Sequence, residues 1–167
     1  MTIFGEIIIM TLKKIYLTTI FLFVSIFCFS QTKPIKYYFE KGILQGEGTL
    51  KDGEKHGFFK YYHKNGKPMC YGEYKSGKMN GIWKWYHFNG PLSRESNYID
   101  GKKDGIQKSY YENGQLQSEE VYIDGETDGI WKSYYKNGKL SNEGNFKNGK
   151  LLYLKCWDEE NNKIDCN

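Results

Sequence analysis

The histidines of this 167-residue chain are candidate ligands for a metal ion. His63 and His87 are 24 residues apart, and His56 precedes them. The repeat described below places His63 and His87 two strands apart on one face, roughly 9–10 Å from each other, which is too far to share one zinc ion. Tyr111 and Tyr135 continue the same spacing, which indicates a column of packed rings. We therefore predict no metal site and no cofactor.

Carboxylates at a regular spacing could be interpreted as paired catalytic acids and bases. These carboxylates belong to Glu95, Glu119 and Glu143, which recur once per repeat. A lysine is expected opposite each of them, which is typical of a structural ladder. Neither a nucleophile elbow, nor a phosphate-binding loop, nor a zinc-binding H-E-x-x-H motif occurs in the sequence. The protein is therefore predicted not to be an enzyme. The predicted ladder consists of Lys84, Glu95, Lys108, Glu119, Lys132 and Glu143.

Two cysteines near the end of the chain are spaced for a disulfide. Residues 156–166 form a hairpin pattern centred on Asn161, which brings Cys156 opposite Cys166 at a separation that suits an S–S bond. That bond would close a loop of about 11 residues and stabilise a capping hairpin by about 2.8 kcal/mol on the chain-entropy model. Cys70 lies in a predicted strand and is expected to be an unpaired thiol rather than a nucleophile.

The elements that position these side chains come from an internal repeat of 24 residues, which covers 33–152 in five units. Position 0 of the unit is Gly57, Gly81, Gly105 and Gly129. Nine residues later stand Asn65-Gly66, Asn89-Gly90, Asn113-Gly114 and Asn137-Gly138. A third phase carries Asp52-Gly53, Ser76-Gly77, Asp100-Gly101, Asp124-Gly125 and Asn148-Gly149. The first unit, 33–56, is degenerate.

Each unit is predicted to form two strands joined by its Asn-Gly turn, with the Asp-Gly segment as a longer loop into the next unit. Asn-Gly between aromatic-rich strands is typical of a two-residue turn in which both residues have positive φ. Such a turn sets position 3 opposite position 14, so that Lys84 faces Glu95. A three-residue loop with a bulge would instead shift the register by one and leave these pairs diagonal.

The other face of the predicted hairpins carries aromatic residues and leucines. Position 2 is aromatic in the second, third and fifth units, whereas Gln107 stands there in the fourth. Position 6 is His in the second and third units and Tyr in the fourth and fifth. Exposed aromatic rows are typical of binding surfaces. The candidate binding face consists of Phe59, Trp83, Trp85, Trp131, His63, His87, Tyr111 and Tyr135.

Composition favours an all-β chain. Glycine and tyrosine number 19 and 15, while alanine, the best helix former, is absent. Aromatic residues make up 17% of the chain, which favours half-buried strands and excludes disorder. The net charge of +4 is small and evenly mixed, so that nucleic acid is not the expected partner.

The N-terminal segment resembles an export signal. Lys13 and Lys14 precede the apolar run from Ile15 to Phe29, which is shorter than the roughly 20 residues that span a bilayer. Small residues at its end predict a signal peptide over 1–30 that is cleaved near Ser30/Gln31. The alternative is an uncleaved anchor, and either Met1 or Met10 could be the start. The mature protein is expected in the periplasm, in the outer envelope or outside the cell.

The repeat pattern G-x-W-K-x-Y-x-x-N-G-x-L-x-x-E-x-x-Y-x-D-G resembles the bacterial variant of the MORN repeat, and the segment Gly129–Leu140 matches it best. The resemblance implies an elongated antiparallel β-meander of stacked hairpins over 31–152, which a C-terminal hairpin over 153–167 would cap. It also implies the antitoxin-like label of many bacterial members, and it transfers no catalytic residue. The sequence departs from the pattern at Lys33, Pro68, Tyr71 and Gln107.

Two functional interpretations follow. The first is a non-enzymatic, exported scaffold that binds another protein through its aromatic stripe or its Lys/Glu face, since a single-layer sheet cannot bury both faces by itself. The alternative is a module for envelope glycans or lipids, in which Trp83, Trp85 and Trp131 stack on sugars or lysines meet lipid headgroups. A signal peptide argues against neutralising a cytoplasmic toxin unless that toxin is exported too.

Overall fold

A computed structural model describes residues 31–166, which form one antiparallel sheet of 14 strands. The predicted signal peptide over 1–30 lies outside these residues. Within them, no helix has the length and apolar character needed to cross a membrane. The strands are β1 (Thr32–Tyr38), β2 (Leu44–Lys51), β3 (Glu54–Lys55), β4 (Gly57–Tyr62), β5 (Pro68–Lys75), β6 (Lys78–Tyr86), β7 (Leu92–Ile99), β8 (Lys102–Tyr110), β9 (Leu116–Ile123), β10 (Glu126–Thr127), β11 (Gly129–Tyr134), β12 (Leu140–Lys147), β13 (Lys150–Trp157) and β14 (Lys163–Ile164).

The strands follow one another across the sheet in chain order, so the predicted all-β meander of hairpins is confirmed. The short strands β3 and β10 extend the pairing of β2 and β9. Five hairpins correspond to the five units: β1–β2, β4–β5, β6–β7, β8–β9 and β11–β12. In the first unit, a 3-10 turn at Glu40–Gly42 replaces the Asn-Gly turn.

The Asn-Gly turns are not of the predicted two-residue type. In the fourth unit the Tyr111 N–H donates to the Gln115 carbonyl and the Gly114 N–H donates to the Tyr111 carbonyl, each at 2.9 Å. Only Gly114 has positive φ, at 84°, whereas Asn113 does not. This is a three-residue loop, a type I turn followed by a left-handed glycine. The same hydrogen bonds recur at the other three Asn-Gly turns.

A bulge in the second strand of each hairpin restores the register that a two-residue turn would have given. In the fourth unit Tyr110 pairs with Leu116 but Ser109 pairs with Ser118, so Gln117 is the extra residue. Lys108 therefore lies directly opposite Glu119. The predicted facing of position 3 and position 14 is confirmed, and a three-residue loop does not leave the pairs diagonal.

Two-residue turns occur instead between the units, at the segments that were predicted to be longer loops. Asp100 and Gly101 both have positive φ, at 48° and 87°, which defines a turn matched to the twist of a hairpin. Short polar Asp, Asn or Ser before glycine tolerates this left-handed conformation. Every unit is thus connected to the next as tightly as its own two strands are connected to each other.

The densest packing lies on one face in the first half of the sheet. Phe59, Cys70 and Trp83 are buried there, and partly buried rings and aliphatic side chains surround them. We call this face, which carries positions 2 and 4 of each unit, the aromatic face. The opposite face carries positions 1, 3 and 14, and we call it the ladder face.

Candidate functional site

The largest rings of the aromatic face lie on glycines of the preceding unit. A Cβ at Gly72 would come within 2.4 Å of the Trp83 ring, and one at Gly48 within 2.5 Å of the Phe59 ring. Tyr74 stands edge-on between the two rings, with its centroid 5.0 Å from each. The glycine at position 15 of one unit therefore makes room for the ring at position 2 of the next.

This packing determines how much of the predicted binding face is accessible. Phe59 is 0% exposed and Trp83 is 2% exposed, so a partner cannot stack on either ring without displacing its neighbours. Trp85 and Trp131 are partly exposed. Whether this face binds a partner stays a prediction, and Trp85 and Trp131 are the tryptophans of the predicted set that a ligand could reach.

The rings at position 6 link each unit to the next. The ring nitrogen Nε2 of His63 lies 3.1 Å from the Tyr86 carbonyl, and that of His87 lies 3.0 Å from the Tyr110 carbonyl. Tyrosines at the same position donate from their hydroxyl groups to the equivalent carbonyls, Tyr111 to Tyr134 and Tyr135 to Trp157. What the position shares is a ring with a hydrogen-bond donor, so these four residues connect neighbouring repeats.

Lys55 occupies an aromatic cage that the repeat pattern does not predict. Its Nζ lies 5.0 to 5.9 Å from the centroids of four rings and donates a 2.8 Å hydrogen bond to the Tyr61 hydroxyl. A cation over aromatic faces is stabilised by their quadrupoles. The sequence around Lys55 does not predict this cage, because its four rings come from three different strands. The rings are those of Tyr37, Phe59, Tyr61 and Tyr74.

The aromatic face is interrupted where Gln107 replaces the ring at position 2. Ser96 and Glu120 stand at the flanking positions that hold glycine in the first two units. The buried Ser96 hydroxyl donates to Gln107 Oε1 at 2.9 Å, and the Tyr122 hydroxyl donates to Glu120 at 2.6 Å. Burial, and then this hydrogen bond to a carboxylate, raise the pKa of Tyr122 to about 12.

On the ladder face, the lysine and glutamate columns form one continuous row across the sheet. The Nζ of Lys84 lies 3.0 Å from Glu95, and that of Lys108 lies 3.3 Å from Glu119. Each glutamate also faces the lysine of the following unit. The repeat pattern predicted only the Lys–Glu pairs within one hairpin. In register the row is Lys36, Glu47, Lys60, Tyr71, Lys84, Glu95, Lys108, Glu119, Lys132, Glu143 and Lys155.

The row fixes alignment more than it adds stability. The side chains of Lys108 and Glu119 are 41% and 35% exposed, and exposed ion pairs contribute about 0.2–1 kcal/mol each. A hydrogen bond from Lys84 to Glu95 raises the pKa of that lysine above its ordinary value. Since each carboxylate is placed between lysines, the glutamates have the surroundings of a ladder rather than of an acid–base pair. Within residues 31–166, no cluster of three or more His, Cys, Asp or Glu side chains could hold a metal ion.

Exposed isoleucines lie beside this row on the ladder face. Ile82, Ile106 and Ile130 recur at position 1, and Ile106 pairs across the hairpin with Val121. Val121 is at position 16 of its unit. Ile99 and Ile123 are each at position 18, two residues further along the strand. Between 40% and 58% of each of the five isoleucines is exposed, which is unusual for so many large apolar side chains on one face. We call these five residues the isoleucine patch: Ile82, Ile99, Ile106, Ile123 and Ile130.

The C-terminal hairpin covers the last strand of the repeats as predicted. Cys156 and Cys166 form a disulfide with a Cα–Cα distance of 5.5 Å, which confirms the predicted pairing. The turn between them places Asn161 at a positive φ of 75°. Cys70 is unpaired and buried, and burial raises its pKa to about 11, so its thiol is unsuited to act as a nucleophile.

Within residues 31–166, these features define a hairpin-repeat architecture that consists of a single sheet. The MORN repeat variant family matches four segments of the chain, 55–76, 79–100, 103–124 and 127–148. Because these segments cover more than half of the sequence, the chain belongs to that family. The first hairpin, β1–β2, lies outside the match but has the same strand pairing. Repeats of this kind often contact proteins or membranes. A comparison with curated proteins gives no match.

Proposed function

We propose that this protein is a non-enzymatic interaction module that binds another protein through the isoleucine patch. The observation that carries the proposal is the exposure of five isoleucines on the face opposite the aromatic packing. Several large apolar side chains exposed on one face are typical of a docking site. The alternating charges beside the patch provide a polar rim that would select a complementary partner.

The charges of the ladder face favour a protein over a membrane surface. Anionic lipid attracts clusters of uncompensated lysine or arginine. Here Lys84 and Lys108 are each within 3.3 Å of a glutamate, so the face offers both signs at close spacing. A protein surface can match such a pattern residue by residue, whereas a uniformly anionic surface cannot.

The proposal includes export, because the N-terminal segment has the pattern of a signal peptide. A disulfide in the C-terminal hairpin is compatible with an oxidising compartment. The antitoxin-like role suggested by the family resemblance would then require a toxin that is exported as well. N-terminal sequencing of the protein from the envelope fraction should begin at Gln31, and a chain that retains residues 1–30 would contradict cleavage.

The binding test compares the wild-type protein with a variant that carries Ile82→Ser, Ile106→Ser and Ile130→Ser. Both proteins serve as bait in envelope extracts of the source cells. The captured protein is identified, purified and measured against each bait by calorimetry. We expect the triple variant to bind at least about 100-fold more weakly, since three central apolar contacts are lost.

Leu152→Ser is the matched control, because Leu152 is 61% exposed and lies outside the patch on β13. It should bind the partner as the wild type does. Equal affinity of the triple variant and the wild type would reject the patch as the docking site. Binding to vesicles of anionic lipid, with no protein partner, would reject the proposal in favour of a membrane role.

A further inference from the structure

A cleft on the aromatic face lies beside Trp131, at the side of the polar interruption. Its volume is about 550 Å³, and its lining combines the rings of Trp131, Tyr111 and Tyr135 with the polar groups of Glu120, Ser118 and Asn142. The bulged residue Gln117 also faces into it. Bulges commonly redirect side chains at functional sites.

The cleft exists because the repeat is broken at one position. In the second and third units, the ring at position 2 covers a glycine of the preceding unit. Glu120 occupies that place before Trp131, and the Trp131 ring lies instead towards Gly144, where a Cβ would be 3.2 Å from Cε3. The space that Phe59 and Trp83 fill in their own units therefore stays open here.

Asn142 gives independent evidence of a missing hydrogen-bond partner. Its Oδ1 is buried and makes no hydrogen bond within the described residues. A buried acceptor without a partner costs about 1–3 kcal/mol, so a partner from outside the chain, a water molecule or a ligand, would stabilise it. Asn142 lines the cleft, so a rotation of its side chain towards the cleft would bring this oxygen within reach of a ligand hydroxyl.

A second hollow extends the cleft towards the Asn-Gly turns. It has a volume of about 400 Å³ and shares Tyr111 and Gln117 with the first, so the two hollows meet at these side chains. Glu112 and Lys136 line its outer part. A continuous groove of this size accommodates several linked rings rather than one small molecule.

We propose that this groove binds a neutral oligosaccharide. A sugar ring has an apolar face of C–H groups that packs on an aromatic ring, and its hydroxyl groups both donate and accept hydrogen bonds. Trp131 supplies the ring, while the Asn142 oxygen, the Glu120 carboxylate and the cleft hydroxyl groups supply the polar contacts. The groove is lined by two carboxylates, Glu112 and Glu120, and by one lysine, Lys136, so it is unsuitable for an anionic polymer.

This site is separate from the protein-binding surface, because position 2 and position 1 lie on opposite faces of the sheet. The two proposals can therefore fail independently. Calorimetric titration of the intact protein with chitotetraose, cellotetraose and maltotetraose tests the saccharide site, with a heparin tetrasaccharide as the anionic comparison. We expect at least one neutral tetrasaccharide to bind and the heparin fragment not to bind.

Two variants assign the binding to the groove. Asn142→Ala should weaken it roughly tenfold without lowering the free energy of unfolding, because the lost oxygen has no partner within the protein. Glu120→Gly restores the glycine of the repeat, so Trp131 can close the cleft and binding should be lost. Leu152→Ser, which lies outside both the groove and the isoleucine patch, is the control and should bind normally.

Three outcomes would overturn the proposal. The first is that none of the three neutral tetrasaccharides binds. The second is that binding is unchanged in both Asn142→Ala and Glu120→Gly, which would place it elsewhere. The third is a preference for the heparin fragment, which would contradict the charge argument.

Discussion

The indole ring of Trp83 lies directly on the backbone of Gly72, so that a Cβ at Gly72 would approach the ring to 2.4 Å. Trp83 Nε1 also donates a 3.0 Å hydrogen bond to the carbonyl of Glu73, which holds the ring in this place. Neither the indole nor the strand backbone can yield easily. This contact joins two consecutive repeats, whereas before Trp131 the equivalent position holds Glu120 and the cleft lies beside the ring.

Gly72→Ala should therefore destabilise the protein, because the added methyl group overpacks a rigid ring by an amount that typically costs about 1–3 kcal/mol. Urea unfolding of the two proteins measures the difference. Gly144→Ala is the matched comparison, since its nearest contact to Trp131 is 3.2 Å and a shift of a few tenths of an ångström suffices. An equal loss in both variants would show that the contact distance does not determine the cost.

The second prediction concerns the side-chain amide of Asn113, whose oxygen and nitrogen make separate contacts. Asn113 Oδ1 accepts from the Gln115 N–H at 3.1 Å, while its Nδ2 donates to the carbonyl of Lys136 in the next unit at 3.3 Å. Nδ2 also lies 3.4 Å from Gln115 Oε1. Asn113→Asp keeps the contact of Oδ1 and loses both contacts of Nδ2, whereas Asn113→Ala loses all three. We expect Asn113→Ala to destabilise by about 1 kcal/mol and Asn113→Asp by less. Urea midpoints that are equal for the two variants would contradict a separate contribution from the turn oxygen.

Strand pairing was predictable from sequence because it depends on local periodicity. The opposition of Lys84 and Glu95 follows from counting positions, and it is correct. The turn type was not predictable, since the Asn113 amide is used for hydrogen bonds rather than for positive φ. The same Asn-Gly dipeptide suits both turns, and only the compensating bulge at Gln117 distinguishes them.

The distribution of exposure on the two faces could not be predicted from residue types either. Trp83 and Trp131 have the same position and the same side chain, yet Trp83 is buried and Trp131 lines an open cleft. The two sites differ in the residue at position 15 of the preceding unit: the Trp83 ring lies on Gly72, whereas Glu120 stands at that position before Trp131. We attribute the different exposure of the two rings to this contact between successive repeats. The pattern within a single unit does not include that contact.

The third prediction is a loss of stability in alkali. The pKa of Tyr122 in the folded protein is raised to about 12, against about 10 in an unfolded chain. Because folding favours the neutral phenol, the contribution of Tyr122 is complete below pH 10 and is lost as the pH rises through 12. Unfolding free energies measured from pH 8 to pH 12 should fall less steeply in Tyr122→Phe than in the wild type.

Ultraviolet titration of the phenolate checks the cause of this shift. Glu120→Gln should lower the pKa of Tyr122 but leave it above its ordinary value, because the carboxylate is removed while the burial, which is the larger cause, remains. An unchanged titration in Glu120→Gln would contradict the contribution of the 2.6 Å hydrogen bond.

The fourth prediction tests the C-terminal cap. Cys166→Ser removes the disulfide that closes the β13–β14 hairpin, and we expect a loss of about 2–3 kcal/mol in the free energy of unfolding, provided that the cap unfolds with the sheet. Three contacts still hold its turn to the fifth unit: the Tyr135 hydroxyl donates to the Trp157 carbonyl, Asn137 Nδ2 donates to the Glu159 carboxylate and Lys139 Nζ donates to the Glu159 carbonyl. Hydrogen exchange separates the two outcomes. Faster exchange confined to β13 and β14, with no change in β8, would mean that the disulfide secures the edge alone, whereas a uniform increase would show that the cap stabilises the whole sheet.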